Sequence, residues 1–397
     1  MPQPTALKPI PANQDQHLFD IAQIVSDQYA GGKYVKEISE TYIGGCHYDF
    51  DTTRLIFDGD ECLHHWGVWG YPMRVESIKL KVAGIGAVVT REPYRYQGLM
   101  ASAANDSFEA MFKNGYDLSV LRGRHYVKFG YARAWNYVTT KLQPDEIPEV
   151  GNPPPYQRLA QEHLDEIYEQ YNQTHEGLAG TAVRPTYQFI SKDTGAYGWF
   201  DTHGRLAGYV RAIPTEDKNA LQCLEAAGGP QEGLAVLKDL FAIGEYETLN
   251  FFTLHHHHPM LQIIRRGACS VEDRYFDNTG WRVKIINLPS TLEKLIPVLE
   301  ARLQKSQWKD WAGEVHLDSG EQNANLKINN AKVQVAESGS EAHAIRGGAA
   351  IGRFLIGADE PQEIIQQEGI QFSGVGKDIV QTLFPNLYPM MSHWDEY

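Results

Sequence analysis

Apolar residues recur along this chain with two periods, and the changes of period divide it into elements. Leu18, Ile21, Ala22, Val25 and Tyr29 share one face of a helix, and Gly31-Gly32 supplies its stop. Residues 53–57 and 62–69 read as strands joined by the turn Asp58-Gly59-Asp60, and residues 77–90 as one long strand. A helix over 98–113 follows, with Ala101, Ala104, Phe108, Met111 and Phe112 roughly facing one way. Short strands are predicted at 117–121 and 133–140. Strands and helices in alternation make this an α/β unit of single-domain size.

A break follows at 143–155, where Pro144, Pro148 and the run Pro153 to Pro155 remove donors and disfavour helix. Beyond it the plan returns in outline. A helix through Leu164, Ile167, Tyr168 and Tyr171 leads to a hairpin of 196–200 with 206–212, then a strand at 220–224, a helix at 234–243 and a strand at 248–254. A weaker boundary at 278–280 precedes a strand-like run, 281–288, and three further strands at 314–317, 324–328 and 332–336. The expected organisation is three units: 1–150, a second built on the same plan at 151–280, and 281–397.

Composition narrows the class. The chain has 397 residues with 36 Lys plus Arg against 50 Asp plus Glu, a formal charge of −14. That balance argues against a general nucleic-acid binder, which needs a basic face, and suits cationic substrates. Cys46, Cys62, Cys223 and Cys269 form no C-x-x-C pair, so neither a zinc ribbon nor a disulfide framework is expected. The polar N-terminus lacks a signal layout, and the longest apolar runs are far too short to span a bilayer. The expectation is a cytoplasmic protein with no membrane partner.

Chemistry concentrates between Ile85 and Ala101. A β-rich strand ends at Pro93, a short loop carries arginines, and a helix opens at Gly98. The first-turn N–H groups of a helix have no internal partner and lie at its positive end, so they suit a pyrophosphate. Gly98 lets phosphate approach the backbone, and Arg95 adds charge-assisted bonds. In this context the spacing Arg95-x-x-Gly98-x-Met100 resembles the acetyl-CoA motif of the GNAT acetyltransferases, with Met100 where a small residue is usual. Downstream, Tyr126-Val127-Lys128-Phe129-Gly130-Tyr131 resembles the Tyr-x-x-Phe-Gly-Tyr segment of the enhanced intracellular survival (Eis) type.

That resemblance implies tandem GNAT-like folds of α+β type, with mixed sheets and flanking helices, followed by a sterol-carrier-like α+β domain. It implies direct acetyl transfer from acetyl-CoA to an amine, of aminoglycoside, polyamine or lysine type, in a homo-oligomer that could be a hexamer. It assigns Val88 and Thr90 to the pantetheine arm, and Arg95, Tyr96, Gly98, Leu99 and Met100 to the pyrophosphate. Tyr126 becomes the general acid, and the terminal carboxylate of Tyr397, reaching back to the first unit, the general base. In the second unit the equivalent place reads Pro230-Gln231-Glu232-Gly233, with neither arginine nor neutral approach, so coenzyme is not expected there. A rival class is a module that binds acyl-CoA, lipid or a partner without turnover.

Other features have simpler readings. The run His255 to His258 has no partner at ligand spacing, so no metal is expected, and His258-Pro259 fits a strand-to-helix turn. His64 and His65 are adjacent in a strand, so one is expected to be buried and the other to line the cavity. Trp66 and Trp69 are expected in the core or the cavity wall. Arg122, Arg124 and Lys128 suit either an extension of the anion patch or solvated surface.

Overall fold

The computed structural model describes residues 7–45, 47–186 and 195–396. Its spine is a seven-stranded sheet built on the long hairpin Glu61–Val75 and Ile78–Thr90. Ile78–Thr90 pairs in parallel with Leu118–Arg122 through a crossover helix, Leu99–Lys113. The sheet is covered on both faces. The helix Gln14–Tyr29 packs Ile21, Ile24 and Val25 on one side, and Leu99–Lys113 packs Leu99, Ala103 and Met111 on the other.

The second sheet repeats this arrangement. Ala220–Gly228 pairs in parallel with Thr248–Phe252 through the helix Pro230–Ile243. Strands cross the boundaries expected at 150 and 280. Tyr137–Leu142, before the proline-rich stretch, lies in the second sheet between Ser270–Arg274 and Thr248–Phe252. Trp281–Ile285 lies in the first sheet, beside Leu118–Arg122 and Ala132–Arg133. The single strand expected at 133–140 is therefore two strands in two sheets. The intervening Ala134 and Trp135 are buried, with the Trp135 ring 5.3 Å from that of Trp281, so the chain crosses between layers there instead of continuing one ladder.

A third, five-stranded sheet carries Ala312–Asp318 at its centre and packs on the helix Leu288–Gln304. Its core runs without a break into the first sheet through Trp281, Val283 and Ile285, which meet Ile351, Phe354 and Leu355. Asp117, fully buried, ties the two together, accepting bonds from Lys294 Nζ at 2.6 and 2.8 Å and from the Lys81 amide.

The last residues run back across the second sheet. Met390 donates its amide to Ala179, and Tyr388 stacks 4.0 Å from His256. Asp395 ends in a buried cluster with Arg184 and Glu225. The histidine run thus supports the tail and the turn. His258 caps the helix Pro259–Ile264 through its Nδ1, and its Nε2 bonds Ala226 O at 2.9 Å.

Candidate active site

The parallel pairing of Ile78–Thr90 with Leu118–Arg122 covers only Val82–Gly84 against Leu118–Val120. Past that point the strands part, and the edge of residues 85–90 facing the gap is left without a ladder partner. A bulge sharpens the divergence. His65 stands opposite Val89 and Gly67 opposite Gly86, so Ala87 and Val88 oppose Trp66 alone, with Ala87 left-handed at φ 47°.

The gap opens into a cleft of about 770 Å³, well within the range of small-molecule sites. Val88, Thr90, Arg95, Tyr96, Gly98, Leu99, Met100 and Tyr126 all line it, so seven residues assigned to the coenzyme and the one assigned as acid meet in one place. Tyr397 lies outside the described residues. Its neighbour Glu396 accepts a bond from Arg122 at 3.0 Å, at the end of the strand that leads through Gly123 into the Tyr126 turn.

A helix forms the floor of the cleft. Gly98 is left-handed at φ 82°, and a Cβ added there would meet nothing within 4 Å, so the approach is open. The first intrahelical bond runs from the Ser102 amide to Gly98 O, which leaves the Leu99, Met100 and Ala101 amides without helical acceptors. No acidic residue stands in that first turn. Arg95 is exposed, braced through Nε to Thr90 O at 3.2 Å.

Tyr126 sits in the short helix Arg124–Phe129 between Gly123 at φ 120° and Gly130 at φ 81°. Its ring meets Trp66 edge-on at 5.8 Å and Tyr131 at 6.4 Å. Burial pushes its phenol up to about 12, with a smaller contribution from Tyr29. The hydroxyl is therefore fully protonated at neutral pH.

The structure adds residues to the site and removes others. Tyr29, Gln28 and His125 also line the cleft, and the Tyr29 hydroxyl reaches Val88 O at 3.4 Å. Tyr29 carried a helix-face signal only; being 62 % exposed, it is the member of that face turned away from the core. Of the three nearby cations, Lys128 lines the cleft, whereas Arg122 is engaged by Glu396 and Arg124 by Asp277. Both His64 and His65 are fully buried, contrary to the expectation that one would face a cavity, because helices cover both faces of their sheet. Cys62 is buried as well, and burial pushes its thiol up to about 12, so it is no nucleophile at neutral pH.

At the equivalent turn of the second sheet, side chains crowd the approach to the helix. The ring of Trp199 covers Gly208, where an added Cβ would meet it at 2.3 Å, and it reaches Gly233 in the first turn of Pro230–Ile243. Glu232 folds back over Gly229.

Parallel strands thus part over a glycine-opened helix, with a phenol across the gap. Residues 31–134 match the family described as acetyltransferase (GNAT) domain. No curated protein matches the chain significantly. Among solved structures the chain is similar to a GCN5-related N-acetyltransferase from Anabaena variabilis, with TM-score 0.73 and 15% identity over 97% of this chain and 99% of that one. It is similar also to a conserved protein from Enterococcus faecalis, with TM-score 0.71 and 15% identity over 98% and 99%. A third is Eis1 from Mycobacterium abscessus, with TM-score 0.65 and 12% identity over 98% and 99%. At these identities the likeness is one of fold, a mixed α+β architecture consistent with tandem GNAT-like units.

Proposed function

We propose that this chain is an acetyl-CoA-dependent N-acetyltransferase that passes acetyl directly to an amine. The carrying observation is the convergence of Val88, Thr90, Arg95, Tyr96, Gly98, Leu99, Met100 and Tyr126 on one cleft. The residues present fit such a coenzyme. Open amides at Leu99 to Ala101 and the Arg95 guanidinium suit a diphosphate, and the unladdered edge of residues 85–90 suits an amide-bearing arm. The coenzyme would supply an activated acetyl thioester with a thiolate as leaving group.

Within that frame each group has one task. Val88 and Thr90 orient the arm through their backbone, while Arg95, Tyr96, Gly98, Leu99 and Met100 hold the diphosphate. Tyr126 supplies a proton at the departing sulfur. Burial holds the phenol protonated at neutral pH, and the same burial raises the basicity of a departing thiolate, so the two stay matched for proton transfer. The terminal carboxylate of Tyr397 accepts the amine's proton, relayed through water. Cys62 and Cys223 are buried with their thiols pushed up to about 12, so neither serves as an acyl-accepting nucleophile.

We read 151–280 as a unit without coenzyme and 281–397 as a sterol-carrier-like support, in a homo-oligomer acting on a cationic small-molecule or peptide amine. The test is thiol release from acetyl-CoA across an amine panel. Amine-dependent release is expected, falling about 10²-fold or more in Tyr126→Phe with coenzyme affinity retained. Unchanged turnover in that variant removes Tyr126 from the mechanism.

A further inference from the structure

We propose that the adjacent histidines His64 and His65 are positioning residues that hold the bulged strand Ala87–Thr90 in its coenzyme-binding shape. The inference rests on reading the cleft as the coenzyme site. It explains a pair of buried polar side chains that the acetyl-transfer scheme leaves unused.

The bulge needs support. Ala87 carries a side chain yet is left-handed, and residues 87–90 have a ladder on only one side, because pairing with Leu118–Arg122 ends at Gly84. His65 grips one end. Its Nδ1 lies 2.6 Å from Ala87 O, and since a carbonyl can only accept, Nδ1 carries the proton. Burial holds the imidazole down to about 4, so the ring is neutral and its Nε2 is an acceptor. The Tyr48 hydroxyl donates to that nitrogen at 2.6 Å. Tyr48 is itself fixed edge-on against Trp69 at 5.0 Å.

His64 grips the other end from the opposite face of the sheet. Its Nδ1 lies 2.7 Å from Thr90 Oγ1. Burial, reinforced by His65 beside it, holds its ring down to about 3, so it too is neutral. Two neutral rings from two faces therefore fix residues 87 and 90, and Val88, Val89 and Thr90 line the cleft between them. Gly67 is part of the device: a Cβ there would stand 2.6 Å from His65 Cε1 and 2.8 Å from Gly86 O. A side chain at 67 would displace the ring from Ala87.

The experiment uses the full chain and three variants, His65→Phe, His65→Gln and Tyr48→Phe. Coenzyme A affinity is measured by calorimetry, and KM for acetyl-CoA is separated from kcat. Loss of the Ala87 bond in His65→Phe should weaken coenzyme A binding about tenfold and raise KM, with kcat within about threefold. His65→Gln, which keeps a donor, should recover most of the loss, and Tyr48→Phe should show a smaller effect. Nitrogen-15 NMR of the wild type should show His65 with Nδ1 protonated and no titration near its ordinary pKa of about 6.5. Wild-type affinity in His65→Phe overturns the positioning role, as does an Nε2-protonated or titrating His65, a readout that holds even where a variant fails to fold. A wild type that does not bind coenzyme A at all refutes instead the reading of the cleft.

Discussion

Replacing Arg184 by methionine should release the C-terminal tail. The Arg184 guanidinium is fully enclosed. Its Nε and Nη2 donate to the Asp395 carboxylate at 3.0 Å, its Nη1 to Glu225 at 2.8 Å, and its face lies 3.5 Å over the Tyr171 ring. Tyr209 donates to Glu225 at 2.6 Å and Thr186 to Asp395 at 2.8 Å. Methionine keeps much of the volume but leaves two carboxylates in the interior without their cation. Removing one partner of a buried pair costs about 3–5 kcal/mol. The Glu225 carboxyl moves in the direction this pairing requires. Burial alone would raise Glu225, but Arg184 outweighs it and brings the carboxyl from the usual 4.5 to about 2. That gap converts to roughly 3 kcal/mol of stability. Because the folded value is the lower one, the contribution is present above about pH 4.5 and is lost as pH falls through about 2.

The assay is amide exchange at Asp395, whose N–H bonds Ser392 O at 2.9 Å, together with digestion by carboxypeptidase. Exchange at neutral pH should quicken roughly 100-fold or more, following from a loss of 3 kcal/mol at about 1.4 kcal/mol per tenfold. Arg184→Lys should recover only part of the protection, since an ammonium cannot serve both carboxylates with a planar fork. If Tyr397 acts as base, turnover falls in parallel while coenzyme A affinity stays. An exchange rate within about fivefold of wild type refutes the reasoning, for it would mean that apolar packing of Trp394 and not charge holds the tail.

Two further substitutions test the reading of the cleft as a coenzyme site. Gly98→Ala places a side chain on a left-handed residue, a strain of about 1–2 kcal/mol, and also crowds the open amides, so coenzyme A binding should fall about tenfold or more by calorimetry. Gly59→Ala, equally left-handed and open in a hairpin turn away from the cleft, is the control: similar loss of thermal stability with affinity unchanged. Arg95→Ala should cost about 1.5–3 kcal/mol of coenzyme A binding and reduce its dependence on salt, seen in titrations at two ionic strengths. An unchanged Kd in either variant separates that residue from the diphosphate.

What the sequence made legible follows the range of the forces involved. Helix Leu99–Lys113 and strand Ile78–Thr90 were readable because periodicity, an opening glycine and a β-rich run are local, and the motif from Arg95 to Met100 lies within the turn joining them. Tyr126, 28 residues beyond Gly98, needed the family resemblance to be placed, since no period links a short helix to a cleft across the sheet. The strand exchange was not legible. Tyr137–Leu142 and Trp281–Ile285 look like ordinary strands, and which sheet each joins is decided by burial against distant partners such as Phe251 and Val120.

The same exchange governs what the second unit contributes. Its strand Ala220–Gly228 holds Glu225 against Arg184, which sits in the segment 181–186 bonded to Pro72 and Arg74 of the first sheet and bridges to Asp395, while the first sheet holds Arg122 where it meets Glu396. One short tail is thus read by both sheets at once. The two sheets are in turn laced together by Tyr137–Leu142, which continues from Ala132–Arg133 after three residues. Displacing either sheet would separate Asp395 from Glu396 in their anchors, so the second sheet, whose equivalent turn is covered by Trp199, still constrains the geometry beside Tyr126. Its Glu225 helps hold the tail through Arg184, and its equivalent turn is packed tightly under Trp199.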